Sequence, residues 1–383
     1  MGERLRVVLV GPLPPPMGGI ARGVEMLRRA QQVRAEVDLR VVDIGLRWRS
    51  IHRMSAGARV RDGARQLLRS TLLLTWECVR RRPGVVHLRS SGGLGAVRDV
   101  ALVLVARAFR VPVIYQLHFG RVPDIAARNT GEWRLMRLAL ARAATVVAID
   151  RHTERAIIEA LPGVRAVRLP NGFDPSVLPS PSPTGHRLTR RVLYAGWVVP
   201  SKGVEELLEA WQTLDTSGWT LQLSGSCEDD YRRYLLERYG CDGSVVFTGE
   251  LAHPALLREM AGCDIFVLPS HTEGFPNVVV EAMALGRPVV ATDVGAVADM
   301  LADGCGSVVP PRRPAELAGA LADLMRDGAL RQAMGDRARS RALGEYAMDE
   351  VAAAVVRLWR SVVPAAGSPR PATPVAPAGN RGG

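Results

Sequence analysis

Residues 263–292 read CDIFVLPSHTEGFPNVVVEAMALGRPVVAT, and the fold turns on how this stretch alternates. DIFVLPS (264–270) and PVVAT (288–292) are short runs, apolar on both faces of a strand, with a helix-like stretch between them. Strands of that composition belong to parallel sheets covered by helices, so the segment predicts one βαβ unit. The turn after the first strand carries Glu273, Gly274, Phe275, Pro276 and Asn277. Proline suits a first helical turn, and Gly286 with Pro288 marks the helix end. The helix expected over 276–285, PNVVVEAMAL, is apolar nearly all round and therefore buried on most sides. Glu281 stands in its middle, where a carboxylate is costly unless it is paired. Three readings stay open: an internal ion pair, a single exposed stripe carrying Asn277 and Glu281 at i, i+4, or a carboxylate turned into a cleft to accept hydrogen bonds from vicinal hydroxyls.

The same alternation runs through the whole chain. Strand candidates in the first half are RVVLVG (6–11), VDLRVVDI (37–44), VVHLR (85–89), VPVIYQLH (111–118), TVVAID (145–150) and AVRLP (166–170). Helix-like stretches at 20–33, 60–82 and 131–143 fall between them. After a Pro/Ser-rich stretch the pattern restarts with RVLYAG (191–196), TLQLSG (220–225), VVFTG (245–249), the two runs above and GSVVP (306–310). The chain therefore reads as α/β, two tandem Rossmann-like doubly wound domains facing a cleft. The expected bounds are 1–173 for the first domain, 174–187 for a linker and 188–345 for the second. A helix at 346–363 is expected to cross back to the first domain, and the low-complexity segment 364–383 to be disordered.

Lys202, in VVPSKGVEEL (198–207), is the single lysine of the chain; every other basic side chain is arginine. It is either a chance survivor on the surface or a place where a compact ammonium meets phosphate. Its position just past the first strand of the second domain, at the mouth of the cleft, favours the latter. Glu273 and Gly274 precede the 276–285 helix, where backbone N–H groups and the helix dipole suit an anion and glycine admits a close approach. Lys202 is expected to face that loop from the opposite wall.

The five cysteines are odd in number, widely spread and without metal spacing, which suits a reducing compartment. The longest apolar run, 100–117, is broken by Arg107 and Arg110, so no membrane-spanning segment is expected. The N-terminal LRVVLVGPLPPP reads as a first strand and not as a signal peptide, and a cytoplasmic location follows. Residues 1–170 hold 30 basic and 13 acidic side chains, whereas residues 171–383 hold 20 and 25. The halves are therefore expected to meet different partners. Within 47–82, arginines alternate with Leu67, Leu68, Leu72, Leu73 and Trp76. Such a helix either packs its leucines on the sheet or lies on an anionic bilayer. No nucleic-acid partner is expected.

Several of these segments together resemble the retaining glycosyltransferases of family four, with the GT-B fold. EGFPNVVVE resembles their Glu-x7-Glu motif, GPLPPPMGGIARGVEML their glycine-rich first loop, and YQLHFG their acceptor-side histidine segment. LPNGFD is similar to their inter-domain turn and LYAGWVVPSKGVEELLEAW to their donor segment. The resemblance implies an acceptor-binding first domain and a nucleotide-sugar-binding second one. It further implies that Lys202 contacts the donor diphosphate, Glu273 the hydroxyls of the transferred sugar, and Glu281 the ribose. Backbone at Gly274, Phe275, Pro276 and Asn277 would line the pocket, beside Gly196 and Trp197. The Gly18–Gly19 loop would approach the diphosphate and His118 the reaction centre. No metal and no other cofactor is implied, and the expected acceptor is a glycan or lipid-linked hydroxyl. One departure stands out: where the family usually carries an arginine, this chain has Trp197, either a packing residue or a stacking one.

His118 is otherwise a strand-end histidine satisfied by a carbonyl, and His87 and His271 are expected only to hydrogen-bond locally. A sugar-nucleotide epimerase on the same fold and a non-catalytic binding protein are the competing readings. A dinucleotide-dependent oxidoreductase is disfavoured, because the first turn, GPLPPPMGG, lacks G-x-G-x-x-G.

Overall fold

The computed structural model describes residues 4–15, 18–45, 56–180, 188–240 and 243–363, without the side chains of 56–60. The second half of the expected linker, the 364–383 segment and the start of the arginine-rich 47–82 stretch lie outside the described residues.

Among the described residues, twelve strands form where the apolar runs fall. The first six are β1 (Leu5–Gly11), β2 (Val37–Asp43), β3 (Val85–Ser90), β4 (Val113–Leu117), β5 (Thr145–Ala148) and β6 (Ala166–Arg168). The second six are β7 (Arg191–Ala195), β8 (Thr220–Ser224), β9 (Val245–Gly249), β10 (Ile265–Leu268), β11 (Val289–Thr292) and β12 (Ser307–Val309). All pair in parallel, in two sheets ordered β2-β1-β3-β4-β5-β6 and β12-β11-β10-β7-β8-β9. Central strands such as β4 and β10 are buried along their whole length, as their unbroken apolar sequences require. The strand order reverses between β1 and β3 in one sheet and between β7 and β10 in the other. Loops leaving neighbouring strands diverge at such a point and leave a crevice at the carboxyl ends.

Helices cover both faces of the first sheet. One face packs helices Ala56–Arg81, Gly95–Ala108 and Gly131–Leu140 through Leu74, Leu102 and Met136. The other is covered by helix Gly19–Arg29 and by the C-terminal helix Met348–Val362, whose Val351, Val355 and Trp359 join Val7, Leu9 and Ile114. The last helix thus belongs to the first domain's core although it follows the second in sequence. The single helix expected over 20–33 breaks at Ala30, whose ψ of 134° leaves the helical region. The break turns Ala30 and Val33 into the apolar layer under the C-terminal helix, and a second short helix, Gln31–Glu36, follows.

His87 corrects a sequence expectation. Its Nδ1 accepts a hydrogen bond from Trp359 Nε1 at 3.0 Å, a partner 272 residues away. Burial, and then the charge of Arg89, push its pKa down to about 3, so the ring is neutral and a suitable acceptor. Trp359 is fully buried, and its replacement by alanine removes both a large apolar volume and the partner of a buried nitrogen. Trp359→Ala is expected to cost about 3–5 kcal/mol, read as a lower midpoint in urea unfolding. A loss below about 1 kcal/mol would mean that the C-terminal helix is not part of the first domain's core.

Candidate active site

Lys202 and Glu273 meet at the switch point of the second sheet. The chain leaves β7 through Gly196 and Trp197 and enters a short turn, Pro200–Lys202. Gly203 then adopts φ +66°, and a Cβ there would stand 1.9 Å from the Pro269 carbonyl oxygen. This close approach, open only to glycine, presses the Lys202 turn against the loop leaving β10. Lys202 Nζ donates to Glu273 Oε1 at 2.6 Å, and Ser270 Oγ donates to the same oxygen at 2.8 Å. The expectation that Lys202 faces this loop from the opposite wall is thereby corrected. Both residues stand on the second domain, because β7 and β10 are neighbours.

The opposite wall is built by the first domain's backbone. His118, Phe119 and Gly120 follow β4, and a Cβ on Gly120 would lie 2.3 Å from the Glu273 carbonyl oxygen. Gly274 is less tightly enclosed, with Phe119 Cα at 3.3 Å and the Ile149 side chain at 3.2 Å from where its Cβ would stand. Both His118 ring nitrogens are buried and lack a hydrogen-bond partner among the described residues. Burial, followed by the charge of Arg89, holds the imidazole well below its usual pKa, so it is neutral. The Asn171 side chain acts on the ring in the opposite direction, favouring its charged form, but burial outweighs it. The backbone N–H of His118 is tied to the Ser90 carbonyl at 3.0 Å. Gly18 begins helix Gly19–Arg29, and Gly19 faces the other domain: a Cβ on it would lie 3.7 Å from Asn277 Nδ2.

Pro276 caps helix Asn277–Ala284, which has no acidic residue in its first turn. The Phe275 ring packs edge-to-face on Tyr346, with ring centroids 5.9 Å apart. Glu281 is buried, and its Oε1 lies 2.8 Å from His253 Nε2 and 3.5 Å from Arg22 Nη1. Arg22 belongs to the first domain, so the buried carboxylate is paired across the cleft. Trp197 is 69% exposed, so it is not a packing residue. Its carbonyl accepts from the Tyr194 hydroxyl at 2.6 Å, which fixes the turn and leaves the indole free. His271 bonds to Glu206 at 2.8 Å, a partner 65 residues away and not a local one. Among the described residues, no group of three or more His, Cys, Asp or Glu could hold a metal ion.

Sequence reasoning missed Arg22, His253 and Arg89. Arg22 and Arg89 sit in an arginine-rich chain where no local signal separates a site arginine from a solvated one. His253 opens helix His253–Gly262, and only the tertiary fold brings it to Glu281.

At the rim, Asp299 of the second domain binds Arg151 at 2.7 Å and Arg168 at 3.3 Å, both from the first. The domains therefore touch at the rim as well as at Arg22–Glu281 and Gly120–Glu273. Gly120→Ala is expected to hold them apart, since its methyl group collides with backbone. Small-angle scattering should show a larger radius of gyration, and turnover should fall about 10²-fold, the scale of an ångström-sized misplacement. Unchanged scattering together with unchanged turnover would show that the Gly120 contact does not control closure.

Residues 187–341 match the family described as glycosyl transferases group 1. A protein of Bacillus subtilis assigned to teichuronic acid biosynthesis as a glycosyltransferase is 26% identical over 294 residues, covering 74% of this chain and 68% of that one. A phosphatidyl-myo-inositol mannosyltransferase of Mycobacterium leprae is 33% identical over 221 residues, 56% of this chain and 59% of its own length. The crystal structure of Anabaena HepE in complex with UDP superposes with a TM-score of 0.70 at 20% identity, over 93% of this chain and 100% of that one. With two Rossmann-like sheets meeting over a cleft that gathers Lys202, Glu273 and Glu281, the chain is a glycosyltransferase of the GT-B fold.

Proposed function

We propose that the chain is a retaining transferase of family four that moves a sugar from a nucleotide-diphosphate donor to a hydroxyl acceptor. The observation that carries this reading is the Lys202–Glu273 pair beside the start of helix Asn277–Ala284, faced by His118 and Gly120. Lys202 and the helix N-terminus supply positive charge where a departing diphosphate develops negative charge. Glu273 accepts hydrogen bonds from hydroxyls of the transferred sugar, with its backbone and that of Gly274 lining the pocket. Glu281 takes the ribose hydroxyls in exchange for part of its present contact with Arg22 and His253. The bond from the anomeric carbon to the diphosphate oxygen breaks, and the acceptor oxygen bonds to the same face of that carbon. The acceptor proton leaves with the diphosphate. Neutral His118 offers an N–H or a lone pair to the reacting groups. The UDP held by Anabaena HepE supports a nucleotide donor of this class.

Lys202→Ala is expected to lower kcat about 10²-fold, the scale of one lost oxyanion donor, measured as nucleotide release that occurs only when acceptor is added. Lys202→Arg should recover only part of it. Full activity of Lys202→Arg would make the lone lysine a coincidence, and nucleotide release without acceptor would point to an epimerase or a hydrolase.

The acceptor we infer is a lipid-linked or otherwise anionic glycan at the inner membrane face. Helix Ala56–Arg81 buries Leu74 and Cys78 but leaves Leu68 62%, Leu72 60% and Trp76 51% exposed. Arg65 and Arg69 are exposed beside them, and the neighbouring helices add exposed Leu104 and Leu138. An apolar face flanked by arginines suits shallow insertion into an anionic leaflet, at roughly 1 kcal/mol per basic residue. Relatives named for teichuronic acid biosynthesis and as a phosphatidyl-myo-inositol mannosyltransferase support an acceptor of that kind. No helix among the described residues is long and apolar enough to cross a membrane. The protein is expected to sediment with phosphatidylglycerol vesicles at low salt and to be released at high salt. Equal and negligible binding to phosphatidylglycerol and phosphatidylcholine vesicles would leave a soluble acceptor instead.

A further inference from the structure

A groove runs along the edge of the first sheet at the amino ends of β1 and β2, on the far side of the domain from the cleft. Arg4, Arg6, Arg28, Arg34 and Arg40 line its volume of about 620 Å³, and Asp38 is the only acid among the described residues that do. An adjoining hollow shares Arg4 and Arg34 and adds Arg29. The helix break at Ala30 builds this convergence, because it sets the last turn of helix Gly19–Arg29 and helix Gln31–Glu36 on one rim with edge strand β2. The acids nearby are already shared. Asp38 lies 3.9 Å from Arg40 and 3.3 Å from Arg81, and Glu25 lies 2.9 Å from Arg28 and 2.7 Å from Arg29. Arg4 and Arg34 are exposed and join no ion pair among the described residues. Charges on an edge strand guard it against pairing with another chain. That accounts for Arg40, but not for arginines from the start of β1 and from two helices around the same hollow. Guanidinium groups gathered without matching carboxylates repel one another, and phosphate oxygens, which accept paired N–H donors, relieve that repulsion.

What stands beside the groove selects the source of the phosphate. Arg6 Nη1 donates to the Arg81 carbonyl at 2.7 Å, and Arg81 reaches Asp38, so the groove abuts the C-terminal end of helix Ala56–Arg81. At that end Trp76 and Val79 are exposed, and the Arg80 guanidinium lies 5.6 Å from the centre of the Trp76 ring. A basic hollow beside exposed apolar side chains matches a bilayer interface, where phosphates lie next to acyl chains.

We propose that this groove is a discrete site for the phosphate of an anionic phospholipid headgroup, separate from the reaction centre and beside the apolar end of helix Ala56–Arg81. The proposal rests on the membrane reading of that helix and adds to it a second, headgroup-binding contact. Sedimentation of the full chain with phosphatidylglycerol vesicles at fixed salt tests it. Arg4→Gln/Arg34→Gln is expected to bind the vesicles about tenfold more weakly or worse, the scale of two basic residues at an anionic surface, with an unchanged Tm. Arg128→Gln/Arg155→Gln removes the same charge from exposed positions near the opposite edge of the sheet and is expected to bind like the wild type. Equal losses in the two double variants show that net charge alone draws the chain to the vesicles and overturn the groove. Wild-type affinity in Arg4→Gln/Arg34→Gln does the same, and either result leaves the membrane reading of the helix standing. Trp76→Ser tests that reading separately. Full vesicle affinity in Trp76→Ser, with the loss in Arg4→Gln/Arg34→Gln intact, sinks the inserted helix face and leaves the headgroup site. A wild type that ignores the vesicles but binds inorganic tripolyphosphate through Arg4 and Arg34 in titration calorimetry makes the occupant a soluble phosphate and overturns the lipid.

Discussion

Two backbones converge on the Glu273–Gly274 peptide and a third packs on Pro269 in the loop that leads to it, and they do so only because three residues have no Cβ. Gly203 brings the Lys202 turn against Pro269, Gly120 brings the first domain onto the Glu273 carbonyl, and Gly295 lies on the carbonyls of Glu273 and Gly274. Any side chain at Gly120 or Gly295 would place a carbon within 2.4 Å of a carbonyl oxygen. The position of the Glu273 carboxylate, its bond to Lys202 and the width of the cleft all follow from these contacts. The Ala296 N–H donates to the Gly274 carbonyl at 2.9 Å and ties the turn to the segment that carries Asp299. Closure at the reaction centre and closure at the rim are therefore mechanically linked.

Charge decides how firmly the cleft stays shut. The arginine excess of the first half finds its complement in a few acids of the second, at Asp299 and Glu281. Arg151 and Arg168 are about half exposed at the rim, so each pair contributes no more than about 1 kcal/mol. The Arg22–Glu281 contact is better shielded, with Glu281 5% exposed, but it is long at 3.5 Å. The pairing between the domains is therefore weak and distributed. A dry apolar interface of the same extent would resist entry. Glu281 answers the question left by the sequence in two senses: it has an internal partner, and that partner stands in the cleft.

Locally encoded features were legible in the sequence. All twelve strands fall where short apolar runs predict them, because period and composition are properties of a few neighbouring residues. The helix break at Ala30 was not legible, since its cause is the C-terminal helix more than 300 residues away. The same holds for the His87–Trp359 bond and for His253 beside Glu281. Arginines failed for a different reason. In a chain that uses arginine for nearly every positive charge, Arg22 and Arg89 carry no mark until the fold shows that one meets a carboxylate across a cleft and the other is buried against the Gln116 amide. Lys202 was legible because its rarity made it so.

The geometry also explains why a lysine suits that position. Lys202 and Ser270 both donate to one oxygen of Glu273, Oε1. On the proposed reading, an ammonium with three donors keeps two for a diphosphate while Glu273 keeps Oε2 for a sugar hydroxyl. A guanidinium prefers to bind a carboxylate through two parallel hydrogen bonds, occupying both oxygens at once. On the proposed reading, arginine here would pair with Glu273 so completely that the carboxylate could no longer read the sugar. The cation would also face the diphosphate with its remaining edge turned aside. A compact charge shared between an acid and a phosphate is a task that the planar fork performs poorly, whatever the chain's preference elsewhere.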